Sequence, residues 1–335
     1  MKRLFRLFFL FFCPCLLISC ETDFNVIADY KEVAIVYGLL NQADSVHYLR
    51  INKAFLGEGN SLTYAKVADS SSFGADIRVV LTAISDKGIR REIVFDTVTL
   101  SIKDTGVFYS PNQLFYYSKE VLNDGDTCIL NITNIKTGLQ VSSQTRLIYN
   151  FYFSKPSSGA KSLSFKRSST AVNKFIWDNA VNGKRYQFRM HYNYKELTSS
   201  GDTNHMTIDW VFPESVTDKY DGTGSSEVSY QNEDFFVLCE NKIPYTDPEE
   251  EAKIVTRYSG ICDLEVTTVG DDFNTYLEAN APSTGLLIEK PVYTNITNGL
   301  GLLSSRYQMH RTLPLNSETI MDLSTTTDLK FAKPN

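Results

Sequence analysis

Along most of the chain, apolar residues alternate with polar ones in short runs, and turn-forming residues separate the runs. The clearest run is "ADIRVVLTAIS" (75–85), where Ile77, Val79, Leu81 and Ala83 share one face and "DKG" turns the chain towards "REIVFDTVTLSI" (91–102). A period of two is that of a strand, whose successive side chains point to opposite faces. The same reading gives strands in "DSVHYLRINKAF" (44–55), "GVFYS" (106–110), "TCILNIT" (127–133) and "LQVSSQTRLI" (139–148), with "NIKTG" as a hairpin turn. "EVAIVYGLL" (32–40) is continuously apolar, which suits burial on both faces, and the polar stretch 57–74 reads as a long loop. Short strands with frequent turns predict an antiparallel sandwich of immunoglobulin-like or transthyretin-like type.

"SKPSSGA" (154–160) is small, polar and proline-bearing, as a linker is. Beyond it, "NKFIWDNAVNGKRYQFRMHYNYKE" (173–196) carries Trp177 on one strand, an Asn-Gly turn at 182–183, and Tyr186, Phe188 and Met190 in alternation on the next, which predicts a hairpin. Helix signals are few. "DPEEEAKIVTRYSG" (247–260) has an Asp cap, an early proline and a terminal glycine, and "DDFNTYLEAN" (271–280) puts Phe273, Tyr276 and Leu277 on one face. The expected fold is mainly β: two β-sandwich domains, at 33–153 and 161–335, with one or two short helices in the C-terminal half.

The first residues break this pattern. Lys2, Arg3 and Arg6 precede an apolar run from Leu7 to Ile18, the layout of a secretory signal. The run ends in Leu17-Ile18-Ser19-Cys20, which resembles the lipobox of bacterial lipoproteins. That resemblance implies cleavage after residue 19, acylation of Cys20, and a lipid-anchored tether over residues 20–32; acyl chains hold a protein on a bilayer at roughly 0.8 kcal/mol per buried CH₂. Acids close behind Cys20 resemble the surface-export signals of Bacteroidota lipoproteins, so the expected location is the outer membrane on the cell surface, with the periplasmic face as the other option. Losing three basic residues with the signal turns 33 basic and 39 acidic residues into 30 and 39, a net charge near −9. Such a chain, without basic clusters, argues against nucleic-acid binding.

Cysteine usage adds one open question. Cys13 and Cys15 leave with the signal, so Cys128, Cys239 and Cys262 remain beside Cys20. Cys128 alternates with Leu130 and Ile132 and is expected to be a buried, inert thiol. Cys239, in phase with Phe235 and Val237, and Cys262, in phase with Leu264 and Val266, form either a disulfide or two buried thiols. Of four histidines (His47, His191, His205, His310) none lies in an HExxH helix, and no GxSxG elbow or P-loop occurs. Acids in "NDGDT" (123–127), "TDKYDG" (217–222) and "GDD" (270–272) follow no calcium-loop spacing. The expectation is therefore no cofactor, no metal and no catalysis. Aromatic groups in "NQLFYYSKE" (112–120) and "RYQFRMHYNY" (185–194) either line a ligand cleft or split between core and surface.

Two segments, "ADYKEVAIVYGLLNQADSVHYLRINKAFLGEG" (28–59) and "YLEANAPSTGLLIEKPVYTNITNGLGLLSSR" (276–306), resemble the opening and closing signatures of β-rich Bacteroidota outer-membrane lipoproteins of unknown function. Some members of that family are encoded beside TonB-dependent transporters. The resemblance implies a non-catalytic binding or accessory role in nutrient uptake, with such a transporter as partner, and it carries over no catalytic residues. A fimbrial or adhesin-type subunit is the alternative. Asn298-Gly299-Leu300-Gly301 is expected to form a tight turn.

Overall fold

The computed structural model describes residues 32–54, 72–74, 76–101, 112–282 and 292–334. The signal, Cys20 and nearly all of the tether lie outside them, as do the strand expected at 106–110 and most of the 57–74 loop.

The protein is mainly β. Its largest sheet runs, in order, β12 (Thr203–Val211), β11 (Arg185–Thr198), β15 (Ile254–Val269), β16 (Gly299–Pro314), β1 (Ala34–Leu40), β2 (His47–Lys53), β6 (Gln113–Ser118) and β5 (Asp96–Leu100), with β13 (Ser215–Val216) paired to β11. A four-stranded sheet of β4 (Arg90–Val94), β3 (Ile77–Ile84), β7 (Thr127–Asn134) and β8 (Gln140–Arg146) packs over one half of it. A three-stranded sheet of β14 (Ser225–Gln231), β10 (Val172–Asp178) and β9 (Phe153–Lys155) packs over the other half. Each pairing encloses its own core. The first gathers Val36, Leu49, Ile51, Leu81, Tyr116 and Leu130. The second is aromatic, with Phe175, Trp177, Phe188, Tyr192 and Phe235.

β16 joins the two halves. Its first part lies parallel to β1, from Ala34↔Gly299 to Leu40↔Ser305, and its second part antiparallel to β15, from Val269↔Arg306 to Ile261↔Pro314. Leu303 accordingly belongs to the first core, and Met309 and Leu313 to the second. Residues 296–305, which the sequence groups with the C-terminal half, thus pack with the N-terminal one. The turn expected at 298–301 is confined to Asn298, at φ 57°, and the strand begins at once. Gly301 is needed for contact rather than for turning: at φ +107° a Cβ there would lie 2.0 Å from the Val36 carbonyl oxygen.

Local pattern and long-range pairing diverge at several places. β10 and β11 flank the Asn182-Gly183 turn, with Asn182 at φ 66°, but they do not form the expected hairpin. They belong to opposing sheets, and their side chains meet face to face: Phe175 stacks on Phe188 at 4.7 Å and Trp177 on Phe188 at 5.8 Å. Run 91–102 likewise splits at Phe95 into β4 and β5, one in each sheet. The 154–160 segment begins in β9, and the Arg311 guanidinium pins it by donating to the carbonyls of Pro156 and Ser157 at 2.6 Å.

Among the described residues four short helices occur where one or two were expected: α1 (Asn232–Lys242), α2 (Pro248–Ala252), α3 (Asp271–Asn280) and α4 (Ser317–Thr326). The Asp247 cap is real, accepting from the Glu249 amide at 2.9 Å, but α2 stops at Ala252 because the β-branched alternation of "KIVTRYS" enters β15. α1 overturns the strand reading around Cys239. Phe235, Phe236 and Cys239 are buried with helical spacing, and Val237 is exposed.

Candidate functional site

The outer face of the large sheet behaves differently along its length. β1 is not buried on both sides: Ala34, Val36 and Leu40 enter the core, while Tyr37 points outward and is 42% exposed. On β2 the alternation of buried His47, Leu49 and Ile51 turns Tyr48 and Arg50 to the same outer face, with Tyr48 43% exposed. β6 adds Phe115 and Tyr117 beside buried Tyr116. Register brings these together, pairing Tyr48 with Tyr117 and Tyr37 with Arg50.

The result is two aromatic groups with Arg50 between them. Tyr48 meets Phe115 edge-on at 6.3 Å and Tyr117 at 6.5 Å. Towards β16, Tyr37 meets Tyr276 of α3 at 6.4 Å, and Tyr276 stacks on Phe273 at 6.3 Å. Of the expected face of Phe273, Tyr276 and Leu277, the first two stack together, while the buried residue of α3 is Asn274. Partial burial, then the neighbouring Tyr276 hydroxyl, raises the Tyr37 pKa, so its hydroxyl stays protonated and able to donate. The Arg50 Nε donates to Asn52 Oδ1 at 3.0 Å, which fixes a guanidinium among the rings. Aromatic rings and arginine on a flat, solvent-facing sheet supply large contact area at low side-chain entropy cost, the composition of protein interfaces. The second aromatic group of the sequence, 185–194, does the opposite: Tyr186, Phe188, Tyr192 and Tyr194 all face the core.

Two clefts lie beside β16, near where its neighbours change. One of about 510 Å³ lies between the Phe151–Phe153 segment and the Tyr307–Arg311 stretch of β16. Another, of about 340 Å³, is lined by Arg146, Asn182, Tyr220, Asp271 and Ser305. Acids singled out in the sequence are engaged with protein groups. Asp126 is buried and pairs with Arg91 at 3.0 Å, Asp218 pairs with Lys184 at 2.7 Å, and Asp272 accepts from the Tyr293 hydroxyl at 2.6 Å.

The cysteines stand in this fold as follows. Cys239 and Cys262 are unbonded and fully buried in the second core, and Cys128 is buried in the first. Burial pushes all three thiols up, Cys128 to about 12. They are protonated and unreactive in the fold. Cys20 lies outside the described residues. No protein-family model matches the chain, and no curated protein is similar to it.

Proposed function

We propose that the chain is a non-catalytic, lipid-anchored protein of the outer membrane that faces the cell surface and serves as an accessory component of a nutrient-uptake system. The aromatic face of β1, β2 and β6 docks the partner protein, a TonB-dependent transporter. The observation carrying this reading is the outward row of Tyr37, Tyr48, Phe115 and Tyr117 with Arg50, on a face where an isolated sandwich has polar residues. The lipidation motif at Cys20 supplies the location.

Mild detergent extraction of outer membranes, with mass spectrometry of what co-purifies, tests it. A β-barrel transporter in stoichiometric amount is expected, and Tyr48→Ala with Tyr117→Ala should reduce its recovery at least about tenfold, as loss of aromatic anchors does. Recovery of the protein alone, or a partner indifferent to both substitutions, overturns the docking face. A ladder of self-multimers would favour a fimbrial subunit instead. The observation behind that second reading is the 306–313 edge of β16, which faces the cleft beside Phe151–Phe153 and has no strand paired on that side among the described residues.

A further inference from the structure

On its β1 side, β16 has a neighbour at each end and none between. β1 stops at Leu40, beside Ser305. At the far end Leu163 takes over: its amide donates to the Pro314 carbonyl at 2.9 Å, and its carbonyl accepts from the Asn316 amide at 2.8 Å. Alternate residues of a strand direct their main-chain groups to the same side, so Gln308, His310 and Thr312 turn theirs the way Pro314 does. The Ser305 carbonyl, out of phase with them, accepts from Gly270 just past β15 at 3.0 Å. β15 pairs with the other side of 306–314 without a break in register. Among the described residues no main-chain group bonds to Gln308, His310 or Thr312 from the open side.

This open stretch borders a groove. The cleft of about 510 Å³ lies between Tyr307–Arg311 and the Phe151–Phe153 segment, with buried Phe151, Phe153 and Met309 as its apolar wall. Tyr307 packs against Phe151 at 5.8 Å and also lines a second cleft of about 520 Å³ with Gln42, Asp124 and Asn150, so the groove continues at that end. The other end is shut by Leu163 and by residues 156–160, which Arg311 holds. Its guanidinium donates to the carbonyls of Pro156 and Ser157 at 2.6 Å, of Ala160 at 3.2 Å and of Ser158 at 3.3 Å. All four acceptors are uncharged, and no carboxylate pairs with Arg311 among the described residues. The closed end of the groove therefore carries an uncompensated positive charge, on a group with five N–H donors.

We infer that this groove binds the extended C-terminal segment of a partner protein, added as a strand parallel to β16, with its terminal carboxylate at Arg311. Unpaired main-chain donors and acceptors select an extended chain. Side chains of an added strand alternate, so every second one enters the cleft and is apolar to match Phe151, Phe153 and Met309. The shut end selects a chain terminus, because a strand that continued would run into Leu163. The charge there selects a carboxylate rather than an amino group. A strand ending at Arg311 with its C-terminus runs the same way as β16, as β1 does on the same side. The groove shares no residue with the aromatic face of β1, β2 and β6 and needs no partner bound there.

A display library tests this, with random peptides of about seven residues (the open stretch at about 3.3 Å per residue) fused to the C-terminus of a carrier and selected on the full mature chain. Enriched peptides should carry apolar residues at alternate positions. Amidating the C-terminus of their synthetic copies should weaken binding by about tenfold or more, and so should Arg311→Gln. Gln308→Pro removes an outward amide while sparing the bonds to β15, and should weaken binding by a similar factor. Circular dichroism of both variants separates loss of the groove from loss of the fold. Hydrogen exchange in the unsubstituted protein gives a readout free of mutation: with a peptide bound, the Gln308 and His310 amides should slow by about tenfold or more, and those of β12, at the far edge of the sheet, should not change. The inference is overturned if no peptide is enriched over the bare carrier, if amidated peptides bind equally well, or if the Gln308 and His310 amides exchange as fast with peptide bound. Multimers of the chain alone that Gln308→Pro dissolves would assign the edge to a second copy and overturn it as well.

Discussion

Arg257 is the most deeply buried cation among the described residues, and its burial is explained by how completely it is paired. Its Nε donates to Glu196 Oε1 at 2.8 Å, and its terminal nitrogens donate to Glu251 at 2.7 and 2.9 Å and to the Leu329 carbonyl at 2.9 Å. Tyr245 donates to the second Glu196 oxygen at 2.8 Å. Burial works to raise the Glu251 pKa, but the Arg257 guanidinium outweighs it and holds the carboxyl low. Removing one partner of such a network leaves a buried charge alone, so Arg257→Met should cost about 3–5 kcal/mol in urea unfolding. A loss below about 1 kcal/mol would show that water reaches Glu196. His47 makes the opposite case. Burial lowers its pKa below the ordinary 6.5, more than its contact with the Glu120 carbonyl at 3.0 Å can offset. As pH falls through 6.5 the unfolded chain binds a proton that the folded chain refuses, so stability drops from there towards the folded pKa and is level above. Urea midpoints at pH 7.5 and 5.5 should therefore differ less for His47→Gln than for the unsubstituted protein; equal differences would remove His47 from the account.

At the scale of elements, period is a local property and was readable, while pairing was not. Ile77, Val79, Leu81 and Ala83 form one buried face of β3, as their alternation requires. The Asn182-Gly183 turn was equally legible, but nothing local says whether the strands on either side bond edge to edge or stack face to face. Here Trp177 and Phe175 stack on Phe188 across the two sheets. α1 was missed because "FFVLC" fits both periods, and only the packing of Phe235 and Phe236 into one core chooses between them. The candidate face follows the same rule. Phe115 and Tyr117 share a strand face visibly in "QLFYYS", but Tyr37 and Tyr48 join them only through register, and whether a face is open depends on which side the second sheet covers. The open edge of β16 was less legible still. It exists only because β1 stops beside Ser305 and Leu163 begins beside Leu315, and neither is written in the sequence of β16 itself.

At the scale of the molecule, two cores share one sheet through one strand, and this dictates how the protein should unfold. Separate sandwiches on a flexible linker would melt separately. Here the shared strand resists that, because β16 cannot leave β1 without losing seven register pairs from Ala34↔Gly299 to Leu40↔Ser305, nor leave β15 without losing those from Val269↔Arg306 to Ile261↔Pro314. Each half carries its own probe: Trp177 and Trp210 belong to the second core, and Cys128 to the first. Tryptophan fluorescence and alkylation of Cys128, followed peptide by peptide, should give the same urea midpoint. Gly301→Ala attacks the joint alone, since a methyl group at φ +107° meets the Val36 carbonyl, a strain on the order of 1–3 kcal/mol. In that variant Cys128 should become reactive at lower urea while the tryptophans keep most of their resistance. Two midpoints already present in the unsubstituted protein would mean that β16 links the halves without coupling them.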